Sequence, residues 1–123
     1  MSYPFLQVSV TKYMDKKDTM ISISFLSKSL YVTSTDKDSE IMIKLKSGKI
    51  IKLKNEGSYD IVSSSDFFTM YSSLSEEDIT VLTSEPVEKI RLSTSDSNID
   101  IEIDEKNQGM IKKLVLLIKD YKL

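Results

Sequence analysis

The chain contains no cysteine, histidine, tryptophan or alanine, and its one arginine is Arg91. Without cysteine there is no disulfide framework, no thiolate nucleophile and no cysteine-based zinc or iron–sulfur site. Without histidine the commonest general base near neutral pH is missing, and so is the commonest transition-metal ligand. A Ser-His-Asp or Cys-His nucleophile cannot be assembled from these residues. A lone arginine cannot form the guanidinium cluster that reads phosphate or guanine bidentately. Long apolar runs are missing too. The longest, Leu114 to Ile118, has five residues, against the ~20 that a membrane-spanning helix needs. Met1 to Phe5 carries neither a basic n-region nor an apolar h-region. As written the sequence reads as cytoplasmic, and as extracytoplasmic if a signal peptide has been removed.

What remains is 123 residues with 17 basic and 19 acidic side chains and a net charge of −2. That length and an unbroken composition predict a single domain over residues 1–123. The slight acidity argues against sequence-specific nucleic-acid binding. Chemistry is left to Asp, Glu, Lys, Ser, Thr and Tyr, and the reading is of a protein that is not an enzyme and needs no cofactor or metal.

Alternation dominates the first two-thirds. Phe5 to Val10, Met20 to Phe25 and Leu30 to Thr33 read as strands, with Ile21, Ile23 and Phe25 on one face and serines on the other. Ile41 to Lys54 reads as a hairpin. Its apolar residues Ile41, Ile43, Leu45, Ile51 and Leu53 share one parity, and a three-residue loop Ser47–Gly48–Lys49 would pair Leu45 with Ile51 and Ile43 with Leu53. Ile50 is then left on the polar side. A second hairpin, Val87 to Asp104, closes around Ser95 to Asn98. In that register Leu92 faces Ile101 and Ile90 faces Ile103, while Arg91 meets Glu102 and Lys89 meets Asp104. Phe67 to Tyr71 is apolar on both faces and reads as a central strand, or as a contact patch if one face is open.

Two helices are expected. Ser75 is a good N-cap with Asp78 at N3, Leu74 can staple against Ile79, and Pro86 stops the helix at Glu85. The second runs from about Lys106 to Tyr121. Its stripe of Met110, Ile111, Leu114, Val115, Leu117, Ile118 and Tyr121 needs an apolar surface, and the isoleucine face of the second hairpin offers one. The fold class is therefore α+β: a mostly antiparallel sheet or open barrel of about six to seven strands, with a short helix and a C-terminal helix packed on the sheet.

Three stretches together are familiar: Ile43 to Leu53 around Ser47–Gly48, the link Leu74 to Ile79 followed by Pro86 to Leu92, and the closing helix. They resemble small β-rich bacterial domains of uncharacterised function, often found in exported proteins. The resemblance implies an architecture and an extracytoplasmic setting, and carries over no catalytic residue.

The candidate binding residues are Lys44, Lys46, Lys52 and Lys54 on the polar side of the first hairpin, with Lys49 in its loop. No acidic residue interrupts Ile41 to Lys54. Five like charges make a local positive field suited to an acidic partner, expected to be another protein, or to an anionic surface. The plainer reading is a solvated face, or an edge defended by lysine. Asp96 to Asp100 and Asp36 to Glu40 start like calcium loops but lack the glycine at the sixth position and the closing glutamate. Asp100, Glu102 and Asp104 could serve a carboxylate-dependent hydrolase, but Arg91 and Lys89 opposite would hold them ionised. The function expected is a non-catalytic binding or interaction module using an exposed β-surface. The alternatives are an inhibitor or immunity-type protein that blocks a macromolecular partner, and, less favoured, the hydrolase.

Overall fold

The computed structural model describes residues 6–28, 34–35, 39–57, 59–60, 67–93 and 98–121. β1 (Leu6–Asp15) and β2 (Asp18–Lys28) form a long antiparallel hairpin through the two-residue turn Lys16–Lys17, and β7 (Phe67–Leu74) lies on the far side of β2. The turn holds Lys16 at φ 59°, a conformation for which an L side chain is poorly suited. β4 (Glu40–Leu45), β5 (Ile50–Lys54), β8 (Val87–Ser93) and β9 (Asn98–Glu102) form a second antiparallel sheet in the order β5-β4-β8-β9. The short strands β3 (Ser34–Thr35) and β6 (Tyr59–Asp60) pair with one another. α1 (Glu76–Leu82) joins the sheets, and α2 (Met110–Asp120) follows a 3₁₀ turn at Glu105–Asn107. The fold is thus α+β, with seven principal strands in two sheets that, among the described residues, do not close into a barrel.

Alternation drives both sheets onto one core. Ile21, Ile23, Phe25, Met70 and Leu74 from the first sheet meet Ile41, Ile43, Leu45, Ile51, Leu53, Ile90, Leu92 and Ile101 from the second, with Ile111 and Val115 of α2 among them. Burial of these side chains, each worth roughly 1.5–3 kcal/mol, is the main driving force of folding. Val87 and Ile90 are both buried although their spacing breaks the period of two. A register shift between Lys44 and Leu45 on β4 absorbs the extra residue of β8.

A join between the sheets hangs on one buried amide. Asn55, 1% exposed, follows β5. Its Oδ1 accepts from the Tyr71 N–H at 3.1 Å and from the Gly57 N–H at 3.2 Å, and its Nδ2 donates to the Gly57 carbonyl at 3.0 Å. The Glu56 N–H donates to the Tyr71 carbonyl at 2.8 Å, and the Glu56 carboxylate accepts from the Ser73 N–H.

Several expectations need correction. Both hairpins keep the expected parity but sit two residues out of register. In the first, Ile43 pairs with Ile51 and Ile41 with Leu53, so the loop is Lys46–Ser47–Gly48. A three-residue loop of this kind ends in a left-handed residue, and Gly48, at φ 97°, supplies it. In the second, Leu92 pairs with Ile99, Ile90 with Ile101, Arg91 with Asp100 and Lys89 with Glu102. The second helix begins at Met110 rather than near Lys106. It packs chiefly along β1 and against α1, with Ile111 and Val115 in the core that the isoleucines of β8 and β9 share. Lys12 of β1 fixes it there: its ammonium donates to the carbonyls of Lys119 at 2.8 Å and Tyr121 at 2.6 Å, complementing the negative end of the helix. β7 ends the three-stranded sheet instead of running through its middle. Met70 is buried while Tyr71 is 40% exposed, so that stretch is not covered on both faces. The side chains of Phe67 and Phe68, the expected strand at Leu30 to Thr33, and most of the loops at Asp36 to Glu40 and Ser95 to Asn98 lie outside the described residues. The capping box stands as expected: Ser75 Oγ accepts from the Asp78 N–H, and the Asp78 carboxylate accepts from the Ser75 N–H, each at 3.1 Å.

Candidate binding face on the four-stranded sheet

Because Ile41, Ile43 and Leu45 point inward, Glu40, Met42 and Lys44 of β4 point outward. The same rule turns out Ile50, Lys52 and Lys54 of β5, and Lys89 and Arg91 of β8. The register sets these side chains in rows. Lys44 stands between Ile50 and Lys89; Met42 stands between Lys52 and Arg91; Glu40 faces Lys54.

Three of the five predicted lysines, Lys44, Lys52 and Lys54, therefore share a face. Lys46 and Lys49 do not. Lys46 opens the turn, where its N–H donates to the Pro86 carbonyl at 3.0 Å. Lys49 closes it, beside Glu85. The Glu85 carboxylate accepts from the Ser47 N–H at 2.7 Å. Hydrogen bonding from Ser47, helped by the charge of Lys49, holds that carboxyl below its usual pKa. The turn is thus supplied with its own anion.

The expected opposition of Lys44 and Lys52 is absent, because the two-residue shift gives each an apolar cross-strand neighbour. The like-charge pair is instead Lys44 and Lys89, facing each other across β4 and β8. Such pairs destabilise a sheet. Lys89 shares Asp100, at 3.7 Å, with Arg91. The Arg91 guanidinium binds that carboxylate in bidentate fashion, Nε at 2.6 Å and Nη2 at 3.0 Å. The Arg91 hydrogen bonds, with the charge of Lys89 beside them, keep the Asp100 carboxyl below the ordinary carboxylate range. Asp100 is held ionised, as the sequence implied, though it is Asp100 and not Glu102 that Arg91 meets. Among the described residues, no carboxylate oxygen lies within 4.0 Å of the ammonium groups of Lys44, Lys52 or Lys54.

Sequence reasoning missed Lys89 and Arg91 as members of this face. It also missed the hollow of about 140 Å³ lined by Met42, Lys44, Ile50, Lys89 and Arg91. Ile50, 49% exposed, was visible as an apolar residue of polar parity, and that mismatch was the available signal.

Two larger grooves lie elsewhere. One of about 640 Å³ runs between the start of β2, the start of α1 and the end of α2, with Asp18, Glu76 and Lys119 among its walls. Another of about 340 Å³ separates Leu6 and Val8 of β1 from Ile101 and Ile103, beside Met110. No group of three or more acidic side chains suited to hold a metal ion occurs among the described residues, and no helix there is long and apolar enough to cross a membrane. The chain matches no family model, no curated protein and no solved structure.

Proposed function

We propose that the protein is a non-catalytic binding module whose contact surface is the outward face of the four-stranded sheet, and that its partner is an anionic macromolecule. The observation that carries this reading is the set of lysines at Lys44, Lys52 and Lys54, which share one face with Lys89 and Arg91 and have no carboxylate within ion-pair distance among the described residues. The chain as a whole is acidic, so this face is a local reversal of sign rather than part of a general positive charge. Local fields of this kind steer association. The carboxylate best placed for acid–base work, Asp100, is committed to Arg91, which favours the binding reading over the hydrolase.

The test is retention on immobilised heparin and on poly-glutamate at low salt. The native protein is retained despite its net negative charge. The triple variant Lys44→Glu, Lys52→Glu, Lys54→Glu, checked for an unchanged circular dichroism spectrum, flows through. Equal retention of the folded variant would overturn the proposal.

A further inference from the structure

Resting on that reading, we infer that the hollow at Met42 and Ile50 is an anchor site for an acidic protein segment, taking one apolar side chain of the partner between cations that hold the carboxylates flanking it. Five residues line the hollow, and their chemistry is divided. Met42 and Ile50 are apolar and lie on the outward face of a sheet whose apolar residues otherwise point inward. Lys44, Lys89 and Arg91 are cations. One carboxylate, Asp100, serves Lys89 and Arg91, and Lys44 has none among the described residues. A ligand that completes this arrangement must bring anionic charge and apolar surface together.

The register makes the charge a built-in tension. Lys44 and Lys89 are fixed opposite each other because Ile43 and Ile90, their neighbours in sequence, are paired and fully buried. The two backbone positions cannot slip apart without turning isoleucines out of the core, although the Lys89 ammonium leans towards Asp100. An anion seated between the two lysines relieves a repulsion that the free protein carries.

The apolar part of the site selects among anionic partners. Heparin-like polyanions and nucleic-acid backbones offer charge with no aliphatic group for Met42 and Ile50, and no aromatic side chain lines the hollow for base stacking. A bilayer surface is met by apolar groups that protrude into it, whereas these line a recess. A peptide of alternating acidic and aliphatic residues supplies both chemistries at strand spacing.

The experiment measures fluorescence anisotropy with two labelled peptides, Glu-Glu-Leu-Glu-Glu and Glu-Glu-Ser-Glu-Glu, with heparin and phosphatidylserine vesicles as competitors. The leucine peptide binds about tenfold more tightly than the serine peptide. Raising salt weakens both, and the ratio between them persists. Ile50→Ser, a change at a half-exposed position, removes the preference and leaves the affinity for the serine peptide unaltered. Lys44→Gln weakens both peptides and at the same time raises the melting temperature, a pairing that a merely structural lysine would not produce. Equal binding of the two peptides, together with lysine-dependent retention on heparin, overturns the anchor site and leaves the binding face standing. Vesicles that outcompete the leucine peptide overturn it in favour of lipid. Binding to neither peptide nor heparin removes both the anchor and the binding face.

Discussion

The outward face of the β1-β2-β7 sheet is made largely of hydroxyls that satisfy one another. Ser9 bonds Ser24 at 3.0 Å, Tyr13 bonds Ser73 at 3.2 Å, and Ser73 reaches Glu56 at 3.2 Å. The outward face of the β5-β4-β8-β9 sheet sets the cations Lys44, Lys52, Lys54, Lys89 and Arg91 among the carboxylates of Glu40, Asp100 and Glu102, and its central strands hold two lysines opposite each other. Inward, both sheets follow the same alternation onto the same core. Folding therefore fixes the inner faces alike and leaves the outer faces free to differ. A face whose polar groups close on each other asks nothing of a partner; a face with cations that no described carboxylate pairs does.

The comparison is broken most severely at the join. Asn55 is buried between the sheets and its side chain bonds both Tyr71 on β7 and the Gly57 turn. Asn55→Ala leaves the Tyr71 N–H and the Gly57 carbonyl without this partner in a part-buried site. A loss of ~2–3 kcal/mol in urea-monitored unfolding is expected, because buried polar groups without partners cost about 1–3 kcal/mol each. A loss below about 0.5 kcal/mol, smaller than a single ordinary hydrogen bond contributes, would show that the shared core alone holds the sheets together.

A smaller change of opposite sign lies on the inner face of the first sheet. The inward residues of β4, β5, β8 and β9 are apolar throughout, whereas Ser27 of β2 is fully buried and its Oγ has no hydrogen-bond partner among the described residues. Removing an unsatisfied buried hydroxyl is favourable, so Ser27→Ala should stabilise the protein by roughly 1 kcal/mol. Differential scanning calorimetry reads this as a rise in melting temperature. A fall would mean that the hydroxyl is bonded in solution.

These two positions also mark where sequence reading stopped. Parity was legible: Ile41, Ile43, Ile51 and Leu53 all point inward, and Ile50 points outward as its position implied. Register was not, because a slip of one residue turns every side chain over while a slip of two turns none. Arg91 opposite Asp100 satisfies charge as well as Arg91 opposite Glu102, so the charge pattern was equally blind. Only Gly48 carried register information, through the loop position that demands a left-handed residue, and placing it in mid-loop moved the whole hairpin. The seat of α2 was legible in one odd residue. Lys12 shares parity with Leu6, Val8 and Val10, and a cation on an apolar face signals a specific anion or a helix end. The join at Asn55 had no sequence signal, since an asparagine before a glycine reads as a turn wherever it occurs.

The smallest effect separates the two faces by pH. Asp100 has a depressed native pKa, set first by its hydrogen bonds from Arg91, with the charge of Lys89 adding to it. In the unfolded chain it titrates near the ordinary aspartate value of ~3.9. A depressed native pKa gives stability that is fully present above the unfolded value and is lost as pH falls through the native one. The contribution is small, because Asp100 is 38% exposed and solvent screens the pair. Asp100→Asn should therefore lower the urea midpoint slightly at pH 7, and the gap to the native protein should close in acid, as the pH falls from the ordinary aspartate value through the lower native one. Ser9→Ala on the other sheet removes a hydroxyl pair that does not titrate, so its gap should be the same at both pH values. If the Asp100→Asn gap also stayed constant, the Arg91–Asp100 pair would act through packing rather than charge. The outward face of the second sheet would then be no more electrostatic in its stability than the first.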